Sequence, residues 1–313
     1  MPASSQGVDW ALPAPGLVAV VTDSTASLPA DDPAGTGAAG VIVVPQRLLA
    51  GDLVSEDGAP GAAADIEAAA ARGVRLTTAR PAPAQFADAY RRVAGAGAAA
   101  VVSVHVSGML SGTVSSAALA AAAAPIPVRV IDARTIGSGL GLVVLAAVAA
   151  AGAGEGLDAV ASAASACASQ VGSFFAVDRP DALLAGGRAA AGQADVQRAE
   201  QGKAAPRLVS RTVLRLDSGR ISVVDRVRTW SGAEALLARC AADQAAGLPA
   251  GTSAEVVVEH VAAAGRADDL ADRLRAVLPQ ARRVSVVAAS TSIRVHTGPI
   301  ALGVSVAPSP AVG

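Results

Sequence analysis

Aromatic side chains are scarce: Phe, Tyr and Trp together make up 2% of the 313 residues. Base-stacking platforms need such rings, and a polyphosphate backbone needs an excess of positive charge. Here 25 basic residues face 26 acidic ones and the net charge is −1, so nucleic acid is not expected as a partner. Cysteine is just as rare. Cys167 and Cys240 are the only two, both in alanine-rich, helix-like stretches, and they suit core filling in a reducing compartment rather than a disulfide framework. Charge of either sign is thin, 16% against 52% hydrophobic residues, which argues against disorder over most of the length. Residues 1–16 lack a basic segment leading into an apolar one and read as a loose tail, not a signal peptide. One long uncharged run exists, 135–154, but it is mostly Gly and Ala, which partition weakly into lipid, so it reads as a buried helix. These features point to a soluble, cytoplasmic protein.

What the chain does contain is alternation. At roughly 150 residues per domain its length allows about two domains. Short β-branched runs at 17–21, 41–49, 101–106 and 128–131 alternate with breaker-poor segments at 65–71, 83–93 and 113–123, the pattern of strands feeding crossover helices in a mostly parallel sheet. Pro83 fits a first helical turn. In 212–228 two alternating strands flank Asp217-Ser218-Gly219-Arg220, an antiparallel hairpin signal. A strand at 256–261, a helix at 267–278 and strands at 284–288 and 302–306 follow. Glycines cluster at 152–156, which places a boundary there: a tail at 1–16, a first α/β domain at 17–154 and a second α/β domain carrying the hairpin at 155–313. The polar stretch 192–206 reads as a surface excursion or lid.

The densest chemical signal runs from Ser103 to Thr113, where a buried strand ends and a helix begins. Free N–H groups, the helix dipole and small hydroxyls converge at such a junction and can receive a carboxylate or phosphate. Ser107, Gly108, Ser111, Gly112 and Thr113 are the candidates, and a plain helix cap by Ser111 or Thr113 is the other reading. A second hydroxyl loop, Thr77-Thr78-Ala79-Arg80-Pro81-Ala82-Pro83, also opens a helix, with Thr77 or Thr78 as either cap or ligand group. Asp23-Ser24-Thr25 ends the first strand and should share the same sheet edge. Gly137-Ser138-Gly139-Leu140-Gly141 lacks the third position of a dinucleotide fingerprint and reads as close helix packing. No GxSxG elbow is present, and His105, His260 and His296 share no ligand-like spacing, which leaves hydrolase and metal chemistry without support. His296-Thr297-Gly298-Pro299, between two late strands, and Gly186-Gly187-Arg188 remain ambiguous from the residues alone.

Taken in order, Val21-Thr22-Asp23-Ser24-Thr25 with Leu28-Pro29, Thr78 through Phe86 and Tyr90, Ser107 through Thr113, Asp132 with Gly139 and Gly141, Gly186-Gly187-Arg188, and His296-Thr297-Gly298-Pro299 resemble the DegV family over nearly the whole chain. These are bacterial fatty-acid-binding proteins that serve as acyl-carrying subunits of fatty acid kinase. The resemblance implies two α/β domains with a long-chain fatty acid in a tunnel between them. It places the carboxylate on Thr78 and the loop of Ser107, Gly108, Ser111, Gly112 and Thr113 from the first domain, and on His296 and Thr297 from the second. It implies a lipid carrier with no catalytic residue, metal or cofactor of its own. The partner would be a dihydroxyacetone-kinase-like ATP-binding subunit docking at Arg188, and contact with membrane would be transient. Five positions depart from the family pattern: Gly108 and Ala82 replace serines, Arg211-Thr212 replaces Lys-Pro, and Ile300 replaces a glycine. One missing hydroxyl removes about 0.5–1.5 kcal/mol of net hydrogen bonding if nothing replaces it. The rival reading is an α/β enzyme acting on a small carboxylated or phosphorylated metabolite, with 107–113 as phosphate cradle and His296 as acid or base.

Overall fold

The computed structural model describes residues 14–28, 41–178 and 210–310. The first sheet is wholly parallel, in the order β2 (Val41–Val44), β1 (Val18–Asp23), β6 (Ala100–His105), β7 (Val128–Asp132). A parallel strand covered on both faces reads as a continuous apolar run, and every residue of β1 is buried. Its alternation sorts the two layers. Ala19 and Val21 meet α2 (Pro83–Gly95) and α3 (Thr113–Ala121), while Val18 and Val20 meet α4 (Ser138–Gly152) and α5 (Leu157–Gln170).

Between β2 and β6 the chain builds a small antiparallel sheet, β4 (Leu53–Glu56), β3 (Arg47–Ala50), β5 (Leu76–Ala79), backed by α1 (Ala62–Ala71). The run 41–49, read as one strand, is therefore two. Pro45 cannot donate to a ladder, and the chain leaves the parallel sheet there to start the other one. Thr77 and Thr78 likewise lie on β5, not in a loop opening a helix. The cap of α2 is Ala82, whose N–H donates to Gln85 Oε1 at 2.9 Å, with Pro83 in the first turn.

The second sheet has six strands in the order β10 (Arg220–Val227), β9 (Arg211–Asp217), β8 (Gly172–Val177), β13 (Ala301–Pro308), β11 (Ala254–Val261), β12 (Ala281–Ala288). Only β11 and β12 pair in parallel, so the mostly parallel arrangement expected from the alternation holds for the first sheet alone. Helices α6 (Trp230–Ala246) and α7 (Ala264–Val277) cover one face, and the short α8 (Thr291–Thr297) links β12 to β13. The β9–β10 hairpin turns through Ser218 (φ 50°) and Gly219 (φ 82°), the left-handed pair that a tight hairpin needs.

Helix α4 is apolar all round because it packs on both sheets: one cluster holds Val18, Val102 and Val104 of the first with Val257, Val287 and Ala307 around it. The uncharged run is thus the central layer of the molecule. A Cβ on Gly139 would stand 2.3 Å from Ser173 Oγ, and one on Gly141 2.5 Å from Ser27 O, so these glycines permit close packing. Helix α5 packs on α4 and against β6 and β7, so the glycines at 152–156 turn one helix into the next within a shared layer, and the second sheet begins at Gly172. Among the described residues no helix is long and apolar enough to cross a membrane. The segments 186–188 and 192–206, Arg188 included, lie outside the described residues.

Candidate functional site

The carboxyl ends of β1 and β6 are locked together by a buried polar chain. Asp23 Oδ1 accepts from Thr25 N (3.1 Å) and Thr25 Oγ1 (2.5 Å), and Oδ2 accepts from Val106 N (3.1 Å) and faces His105 Nδ1 at 3.1 Å. His105 Nε2 meets Ser103 Oγ at 2.7 Å, and Tyr90 Oη meets the same hydroxyl at 2.9 Å. Burial opposes charge on Asp23, yet His105, Thr25 and the Val106 N–H together outweigh it and hold the carboxyl below its usual value. Burial pushes the Tyr90 phenol up to about 12. Every member is buried, with only Thr25 and Val106 reaching the wall of the cavity described below, and the chain fixes the two loops that follow Asp23 and His105.

In the loop after His105, the hydroxyls are turned inward. Ser107 Oγ accepts from Met109 N at 3.2 Å, and the Gly108 N–H donates to Asp132 Oδ2 at 3.2 Å. Ser111 Oγ accepts from Thr113 N (3.3 Å) and meets Thr113 Oγ1 at 2.8 Å, and Gln46 Nε2 donates to Thr113 Oγ1 at 3.4 Å. Helix α3 is capped by Gly112 without a side-chain bond. Of the five candidates in this loop, only Ser111 and Gly112 line the cavity described next; Ser107, Gly108 and Thr113 hold the loop's shape. The hairpin tip of the second half rests on that loop, since a Cβ on Gly219 would stand 2.4 Å from Ser107 Oγ.

A cavity of about 1240 Å³ lies between the two halves, with Leu110, Ile136, Phe174, Leu216, Ile221 and Ile293 among its walls. In its wall Thr78 of β5 and His296 of α8 meet, Oγ1 to Nε2 at 2.9 Å. His296 stands in the last turn of a helix rather than in the Thr-Gly-Pro turn that the sequence implies. Burial alone depresses its pKa below the usual imidazole value, which favours the neutral ring. Thr297 also lines the cavity, but its hydroxyl donates back to Ile293 O at 3.0 Å.

Three residues that sequence reasoning did not single out shape this site. Asp57, from the turn after β4, accepts from Thr291 N and Ser292 N, both at 3.2 Å, and from Ser292 Oγ, so a carboxyl of the first half anchors the start of the helix that carries His296. Burial raises its pKa against those bonds. Arg294 and Glu67 add an ion pair across the same contact. Arg80, exposed at the cavity edge, lays its guanidinium over Gly112 and has no hydrogen bond or ion pair with another described residue. Glu259 of β11 lines the cavity and accepts from Ser138 N at 2.8 Å and from Ser27 Oγ. The only sequence signal for these was a charged residue beside a hydroxyl loop (Arg80) or inside an apolar strand (Glu259). Among the described residues no group of three or more His, Cys, Asp or Glu is placed to hold a metal ion.

The family model of the DegV proteins, described as uncharacterised proteins, matches residues 17–309. A DegV domain-containing protein of Streptomyces coelicolor is 40% identical over 289 residues, covering 92% of this chain and 98% of its relative. One from Mycobacterium tuberculosis is 37% identical over 290 residues, covering 92% and 96%. Among solved structures, a fatty-acid-binding DegV family protein from Thermus thermophilus superposes with a TM-score of 0.79 at 28% identity, covering 94% of this chain and all of the other. Sequence match and fold agree, and the chain belongs to the DegV family.

Proposed function

We propose that this protein binds a long-chain fatty acid in the cavity between its halves, with the carboxylate at Thr78 and His296. The observation that carries the reading is the Thr78–His296 contact at 2.9 Å in the wall of a cavity of about 1240 Å³, larger than the ~300–1,000 Å³ of ordinary small-molecule pockets. A saturated sixteen-carbon acid buries about fourteen methylenes at ~0.8 kcal/mol each, a gross gain near 11 kcal/mol before association and ordering costs. The polar end therefore has only to satisfy the head group. The Thr78 hydroxyl and the neutral imidazole hold one donor each and their mutual bond uses one, which leaves the other for the head group, while Ser111 and Gly112 also line the cavity and Arg80 adds positive charge at the edge. The fatty-acid-binding relative from Thermus thermophilus points the same way. A small polar metabolite would leave most of this space unfilled.

The reading extends to the partner that the family resemblance implies. The carrier presents the carboxylate to a separate kinase that supplies ATP-derived phosphate, working in the cytoplasm and touching membrane only to exchange lipid. The chain has no phosphate-binding P-loop of its own, which suits a carrier. Arg188 is the residue proposed for docking. Denaturing extraction of the purified protein followed by mass spectrometry tests the binding claim. About one acyl chain per protein is expected. No acyl species, together with no rise in melting temperature on adding palmitate, would overturn it. For the partner claim, Arg188→Ala is expected to leave palmitate affinity within about twofold while reducing kinase-dependent acyl phosphate formation. Equal rates for variant and parent would remove Arg188 from the interface.

A further inference from the structure

The cavity wall is not uniformly apolar beyond the Thr78–His296 end. A second polar group, built from both halves, sits where the start of α4 faces β8, β11 and β13. Ser138 Oγ meets Ser305 Oγ at 2.9 Å, Ser305 Oγ donates to Ser173 Oγ at 2.9 Å, and Ser173 Oγ meets Thr135 Oγ1 at 3.1 Å. The Glu259 carboxyl closes the row, taking the Ser138 N–H and the Ser27 hydroxyl. Ser138, Ser173, Ser305 and Glu259 all line the cavity, and no hydrogen bond joins this group to Thr78 or His296.

Hydrocarbon packed here would fit poorly. Each hydroxyl offers more acceptor positions than donors, and a carboxyl adds further acceptors, so the row has spare lone pairs after its internal bonds are made. Ser138, Ser173 and Ser305 are already buried and bonded to one another, so the half-buried Glu259 carboxyl is the group that an apolar ligand segment would cut off from water, whereas a ligand O–H would pair with it. Partial burial pushes the Glu259 pKa up against its bonds to Ser27 and Ser138. A site built to pair with a ligand hydroxyl discriminates strongly against the analogue lacking it.

We propose that Glu259 with Ser138, Ser173 and Ser305 forms a second recognition site, which selects long-chain acids bearing a hydroxyl in the part of the chain remote from the carboxylate. The proposal rests on the fatty acid reading and names the substrate class within it. The two groups stand on different elements, Thr78 and His296 on β5 and α8, the second group on β8, β11, β13 and the start of α4.

The test is a direct titration of the delipidated full chain with stearate, 3-hydroxystearate, 12-hydroxystearate and 18-hydroxystearate. At least one of the two remote hydroxy acids is expected to bind about tenfold or more tighter than stearate, with 3-hydroxystearate gaining nothing. Glu259→Leu should abolish that preference while stearate binds as well as before or better. Because Glu259→Leu also removes the bond to the α4 N-terminus, Ser305→Ala serves as a milder second variant and should shrink the preference. If stearate binds wild type as tightly as either remote hydroxy acid, the proposal is overturned, the polar row is only a clasp between the halves, and the fatty acid reading stands. If none of the four acids binds, the fatty acid reading itself fails and takes this proposal with it.

Discussion

Asp57→Ala separates anchoring of α8 from contact with ligand. The carboxyl accepts two backbone N–H groups, of Thr291 and Ser292, and the Ser292 hydroxyl, and it is 7% exposed. Removing it leaves those two N–H groups without their acceptor at about 1–3 kcal/mol each, partly offset because the variant no longer has a carboxyl to desolvate, so a net loss of ~2–4 kcal/mol is expected. Urea unfolding reads this as a fall in the midpoint with little change in slope. Because α8 carries His296, palmitate affinity should fall too. His296→Ala, by contrast, should cut affinity with little loss of stability. The raised Asp57 pKa adds a pH signature. The folded state holds this proton more tightly than the unfolded chain does, so Asp57's contribution is largest in acid and declines as pH rises from the unfolded value through the raised folded one. Asp57→Asn should remove that part of the pH dependence. A loss below about 0.5 kcal/mol for Asp57→Ala, with palmitate affinity unchanged, would refute the anchoring argument.

His296→Ala is expected to weaken palmitate binding by about 1–3 kcal/mol, and Ser107→Ala by less, because that hydroxyl serves its own loop; calorimetric titration would show a reversed order if the assignment were wrong. Gly219→Val places a β-branched side chain at φ 82° and against Ser107 Oγ, so it should destabilise the protein by at least about 1–3 kcal/mol, and an unchanged thermal midpoint would deny the hairpin contact. The chain's single tyrosine, Tyr90, should titrate near 12 by ultraviolet absorbance, and an ordinary phenol value would contradict the buried Ser103–His105 chain.

The parts of the fold that show in the sequence are those whose local pattern and tertiary role agree. Strands β1 and β6 are continuous apolar runs because both faces are covered, and Asp217-Ser218-Gly219-Arg220 turns a hairpin because positive φ is needed at Ser218 and Gly219. The small sheet was hidden. Its strands are four residues long, too short for alternation to register, and Pro45 is what divides β2 from β3. At the candidate site, hydroxyl density in the sequence carries no direction. Ser107 and Thr113 spend their bonds inside the loop, while Thr78, one of two adjacent threonines, faces His296 from a strand. Asp57 and Glu259 act on helix starts more than a hundred residues away in sequence, at Ser292 and Ser138, and no local pattern announces such contacts.

The central claim is that a fatty acid carboxylate sits between Thr78 and His296. A crystal structure of the palmitate complex tests it most directly. The account expects a carboxylate oxygen within about 3 Å of Thr78 Oγ1 and of an imidazole nitrogen, directly or through one water, with the acyl chain running into the cavity toward α4. Palmitate bound with its carboxylate elsewhere, or with His296 turned away from it, would contradict the account.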